Sequence, residues 1–67
     1  MFHINAQSDV PVYRQLVDEI RSAIRAGRLA AGAQLPTVLA MAEDLGLARG
    51  TIKRAYDELE LLGLVEK

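Results

Sequence analysis

In three separate stretches of this 67-residue chain, apolar residues recur at spacings of three and four. Such spacing lines them up on one face of an α-helix, which turns once in about 3.6 residues. The first stretch groups Tyr13, Leu16, Val17, Ile20, Ala23 and Ile24. The second groups Val38, Met41, Ala42 and Leu45, and the third Ile52, Ala55, Tyr56, Leu59 and Leu62. Helices this short are marginal alone in water, so their apolar faces must bury one another. The reading is a mainly α fold of three helices. The length allows one domain, with residues 1–9 an extended lead-in without periodicity and residues 10–67 the packed part.

Local signals mark the helix ends. Ser8 and Asp9 are candidate caps for the first helix, with Pro11 in its first turn, where a missing N–H costs nothing. Gly27 is a stop, and Arg25 and Arg28 complement the negative end of that helix. Residues 29–36 form a connector containing Gly32 and Pro36. Thr37 caps the second helix, and Gly46 supplies the positive φ of a tight turn. The third helix runs over residues 49–63. Leu64 and Val65 read as the start of a strand whose partner is missing.

Composition removes several function classes. An apolar content of 51% with a formal charge of −1 argues against disorder. The absence of cysteine excludes disulfides, thiol chemistry and a thiolate zinc site. His3 has no second metal ligand nearby, and neither Ser8 nor Ser22 has a histidine partner for nucleophilic catalysis. No apolar run approaches the roughly 20 residues that span a bilayer. The start lacks the pattern of a signal peptide, so a cytoplasmic, membrane-free protein is expected. A large enclosed substrate cleft does not fit a chain of this size. The expectation is a binding module, not an enzyme, with no cofactor and no metal.

The near-neutral total hides a charge boundary. Arg49, Lys53 and Arg54 cluster with no acid between Leu45 and Tyr56, and Asp57, Glu58 and Glu60 follow at once. A helix N-terminus carries positive partial charge and favours acids. The third helix reverses that order, which makes sense if an external anion meets its N-terminus. A DNA phosphate backbone is such an anion, and recognition helices enter the major groove by their N-terminal residues. The second helix, the Gly46 turn and the third helix also fit a helix-turn-helix. Ala42 is small where two helices cross, and Ile52 fills the angle between them. The plainer alternatives are a three-helix bundle with a glycine turn and a solvated charged face held by pairs such as Lys53 with Asp57.

Longer motifs carry a resemblance. The runs are Pro11-Val12-Tyr13-Arg14-Gln15-Leu16, residues 27–32, Leu35-Pro36-Thr37, residues 51–60 and Gly63-Leu64-Val65. Together they resemble the N-terminal DNA-binding domain of GntR-family bacterial transcription regulators, from about Val10 to the end of the chain. The Ala55-Tyr56 pair and Leu59-Glu60 are most similar to the YtrA-type branch. The aminotransferase-fused MocR-type branch is similar here too.

The resemblance implies a winged helix, in which a β-hairpin wing follows the third helix; here the wing is cut short after Lys67. It implies a sequence-specific DNA-binding regulator, a repressor acting as a homodimer on a palindromic operator, with dimerisation supplied by a C-terminal region. The candidate DNA-binding residues are Thr37, Arg49, Gly50, Thr51, Lys53 and Arg54. Arg49 would read a guanine edge or hold a phosphate, Lys53 would hold phosphate, and Thr51 would meet a phosphate or a thymine methyl. Gly50 would let the backbone approach DNA closely or is simply tolerated near a helix start. Arg54 is a second phosphate residue or a solvated side chain. Two positions depart from the family pattern. Leu39 stands where an arginine contacts DNA, and Ala48 where a serine often caps the recognition helix, a loss of about 1 kcal/mol. A MocR-type fusion and a winged-helix module that grips protein are the alternative readings.

Overall fold

A computed structural model describes residues 2–29 and 35–65 of the chain. Three helices follow one another: α1 (Val12–Arg25), α2 (Val38–Leu45) and α3 (Arg49–Leu61). There is no strand among the described residues. α3 packs on both α1 and α2 and forms the centre of the arrangement.

The core is made by the expected faces. Leu16, Val17, Ile20 and Ala23 come from α1, Met41 and Ala42 from α2, and Ile52, Ala55 and Leu59 from α3; all are buried. Ala42 and Ile52 therefore sit where the helix-turn-helix needs a small residue and a plug. Tyr13, Ile24, Val38, Leu45 and Tyr56 are half-buried around that centre. Val65 returns to the core after α3.

Several ends differ from the sequence reading. Pro11 is the N-cap of α1, outside its first turn, and no side chain caps that helix. The Ser8 hydroxyl instead accepts from the Val10 N–H at 3.1 Å, which spends it on a local turn. Thr37 does cap α2, its Oγ1 accepting from the Ala40 N–H at 3.1 Å. α3 ends at Leu61, two residues before Gly63, because Leu62 is already its C-cap. Leu62 was expected on the inward face but is 47% exposed. Beyond it Gly63 adopts φ +74°, and the Leu64 N–H closes back on the Leu59 carbonyl at 3.0 Å. That bond spends on the helix end a donor that a strand would give to a partner. The middle of the connector, Gly32 included, and the far end of the wing segment lie outside the described residues.

The lead-in is more regular than its sequence implied. Phe2 and Ile4 turn inward and His3 and Asn5 outward, an alternation of period two. The His3 N–H donates to Glu19 Oε1 at 2.8 Å, and the Asn5 N–H to Gln15 Oε1 at 2.7 Å. Gln15 Nε2 donates in turn to the carbonyls of Asn5 and Val10. One glutamine on α1 thus anchors the approach to its own helix.

Candidate nucleic-acid interface

Gly46 sets the angle between α2 and α3. It adopts φ +68°, and the next residue, Leu47, donates its N–H to the Ala42 carbonyl at 3.0 Å. A side chain there would strain the backbone, because only glycine visits this region cheaply. Three residues after Gly46, α3 begins. Its N-cap, Ala48, has φ −67° and ψ 143° and offers no side-chain bond.

The first turn of α3 contains no acid and its last turn no base. The inverted charge order seen in the sequence is therefore an inverted order along a real helix. Arg49, Gly50, Lys53 and Arg54 are all exposed, and Thr51 is half-buried. At about 100° per residue, they divide between two flanks. Arg49 and Lys53 lie about 40° apart on the flank toward α2. Thr51 and Arg54 lie about 60° apart on the flank toward α1. Gly50 is on the crest between them.

Each flank has its own partner. Lys53 Nζ bonds Asp57 Oδ2 at 2.8 Å, one turn along the helix. That hydrogen bond and the charge of Asp57, with a smaller contribution from Glu60, raise the Lys53 pKa above its ordinary value. The lysine is fully charged at neutral pH, but in the free protein it faces a carboxylate. The plain i,i+4 pair weighed from sequence is thus present at this one position. Arg49 makes no ion pair among the described residues.

On the other flank the Arg54 guanidinium carbon sits 3.9 Å from the centroid of the Tyr13 ring on α1. From sequence, Arg54 was read as a solvated or phosphate residue and Tyr13 as a core residue. Tyr13 is half-buried, and the cation covers one face of its ring. A contact between residues 13 and 54 has no local sequence signal.

Tyr56 is the other residue whose role the periodicity understated. Its hydroxyl donates to the Pro36 carbonyl at 2.8 Å, and burial raises the phenol pKa. This bond ties the start of α2, with Thr37 beside it, to the flank of α3 that carries Arg49 and Lys53. Leu39, the residue in the arginine position, is 52% exposed and points its hydrocarbon to solvent instead of adding to the core.

No group of three or more His, Asp or Glu side chains among the described residues could hold a metal ion. No helix among them is long and apolar enough to cross a membrane.

Residues 12–67 match the family described as "Bacterial regulatory proteins, gntR family". The chain is 42% identical over 66 residues to the "Probable rhizopine catabolism regulatory protein MocR" of Rhizobium meliloti, covering 98% of this chain and 13% of that protein. It is 40% identical over 63 residues to the "HTH-type transcriptional regulator Rv1152" of Mycobacterium tuberculosis, covering 94% of this chain and 52% of the relative. Among solved structures it superposes on YtrA from Sulfolobus acidocaldarius, a GntR-family transcription factor. The TM-score is 0.88 at 34% identity, over 92% of this chain and 66% of that one. The chain thus spans about half, or much less, of the curated relatives it matches.

Proposed function

Because this chain belongs to the gntR family of bacterial regulatory proteins, we propose that it is the DNA-binding domain of a transcription regulator, with α3 entering the major groove by its N-terminal turns. One observation carries the reading: the first half of α3 bears Arg49, Lys53 and Arg54, all exposed, with no acid in its first turn. Such an end attracts anions through both its cations and its unpaired N–H groups.

Arg49 reads a guanine edge or holds a phosphate, and Lys53 leaves Asp57 for a phosphate. Thr51 meets a phosphate or a thymine methyl from the other flank, beside Arg54. Gly50 lets the backbone approach the groove. Thr37 still has its O–H to donate, because the α2 cap uses only a lone pair of its oxygen. The intact regulator works as a cytoplasmic repressor. It is a homodimer that sets two copies of α3 in half-sites about 34–36 Å apart on a palindromic operator. The names of the relatives support a regulator, and the position of Arg49 and Lys53 supports the mode of contact.

The test is fluorescence anisotropy of this chain with a mixed-sequence duplex across a salt series. Each phosphate contact contributes about −0.9 to the slope of log K against log salt. The Arg49→Ala, Lys53→Ala double variant should flatten the slope by about 1.8 if both hold phosphates. Arg14→Ala, on the exposed face of α1, should leave the slope nearly unchanged. Equal losses from the α1 and α3 variants would move the DNA contact off α3 and sink the proposal.

A further inference from the structure

We propose that Tyr13 of α1 is a positioning residue for DNA binding: its ring holds the Arg54 guanidinium so that the cation's edges meet a backbone phosphate beside α1. The inference rests on the DNA-binding reading above and adds a phosphate contact whose geometry is set by a different helix.

Three observations carry it. The guanidinium lies 3.9 Å from the ring centroid, well inside the range in which a cation is attracted by an aromatic face. Ring contact uses only the flat face of the guanidinium and leaves its N–H groups pointing sideways as donors. Second, a cleft of about 430 Å³ opens at this point, lined by Val12, Tyr13, Ala48, Gly50, Thr51 and Arg54. No carboxylate lines it, and its side-chain polar groups are the Arg54 guanidinium and the hydroxyls of Thr51 and Tyr13. Third, Arg54 makes no ion pair among the described residues, whereas Lys53 on the opposite flank is held by Asp57. Like Arg49, and unlike Lys53, the cation resting on the ring can meet a phosphate without first breaking an ion pair among the described residues.

A free arginine loses rotamer freedom when it grips a phosphate. An arginine already laid on a ring has lost part of that freedom before DNA arrives, so the contact costs less to form. Tyr13 thereby acts on DNA without touching it.

The experiment is a double-variant cycle on this chain, read by the same anisotropy and salt series, with thermal unfolding of every variant beside it. Arg54→Ala should flatten the salt slope by about 0.9, one phosphate. Tyr13→Leu should weaken binding by about two- to five-fold, the range of an exposed cation–π contact. Tyr13→Phe, which keeps the ring, should bind as the parent does. The deciding result is the double variant: with Arg54 already removed, Tyr13→Leu should cost nothing more. If Tyr13→Leu weakens binding by the same factor with or without Arg54, the tyrosine acts only through the fold and the inference is overturned. A parental slope in Arg54→Ala overturns it too, while leaving Arg49 and Lys53 as DNA contacts. If the parent chain shows no salt-dependent binding, the DNA reading falls, and this inference falls with it.

Discussion

Replacing Ala48 by serine should stabilise the fold, and the molecule contains its own calibration. The N-caps of α2 and α3 have nearly the same backbone: φ −61° and ψ 159° at Thr37, φ −67° and ψ 143° at Ala48. At Thr37 the hydroxyl accepts from the N–H three residues on, at 3.1 Å. At Ala48 the corresponding donor is the Thr51 N–H, which has only the Ala48 carbonyl at 3.1 Å in a tight turn. A hydroxyl at position 48 can reach that donor without moving the chain. The gain expected for a good N-cap over alanine is about 1 kcal/mol, within a range of roughly 0.5–2. For a domain of this size that raises Tm by about 4–8 °C. Thr37→Ala should lower Tm by a similar amount, so the pair brackets the parent. Thermal unfolding followed by circular dichroism measures both. Neither change alters charge, so the salt slope of DNA binding should not move. If Thr37→Ala loses stability while Ala48→Ser leaves Tm unmoved, backbone likeness does not suffice for capping, and the argument from geometry is refuted.

Gly50→Ala should also stabilise α3, by about 0.5–1 kcal/mol, because a Cβ there meets nothing within 4 Å. If the backbone at Gly50 approaches the groove, the same methyl should weaken DNA binding, and a gain in stability with no loss of affinity would remove Gly50 from the interface. Asp57→Asn should tighten DNA binding at low salt by releasing Lys53, with the advantage shrinking as salt screens the charges; a titration of the variant at two ionic strengths checks this. Tyr56→Phe removes the bond to the Pro36 carbonyl and should cost about 0.5–1.5 kcal/mol. The phenol pKa is raised from 10.0 by burial. Above pH 10.0 the unfolded chain therefore loses this proton first, and stability falls as pH rises through the folded pKa. Denaturant midpoints at rising alkaline pH should fall more steeply for the parent than for the phenylalanine variant.

What was legible in the sequence is what one helix reveals by itself. Leu16, Val17, Ile20 and Ala23, and again Ile52, Ala55 and Leu59, were placed in the core by spacing alone, and they are there. The Thr37 cap and the Gly46 turn were readable for the same reason, since each depends on a few consecutive residues. Contacts between elements were not readable. The ring of Tyr13 under Arg54 depends on how α1 crosses α3, and the Tyr56 bond to Pro36 on how α2 enters. Leu62 failed differently: it continued the apolar period, but the helix had already ended, so the period no longer described its direction. At the lead-in, two inward residues, Phe2 and Ile4, were too short a run for an alternation to stand out.

Several local rules of helix construction fail together at the start of α3. There the cap position holds alanine, the second helical residue is glycine, and the first two turns carry bases where acids would be favoured. Each choice disfavours the helix there. The start of α2 keeps its cap, and Ile52, Ala55 and Leu59 bury fully. Sequences that are consistent elsewhere tend to break such rules where function requires it. Here the three exceptions share a result: they leave N–H groups unfilled, keep the surface flat at Gly50 and gather positive charge beside it. A phosphate-bearing groove would fill those donors, approach that flat surface and neutralise those charges together. A merely solvated helix start would require none of the three, which is why their coincidence favours DNA over the plain three-helix bundle.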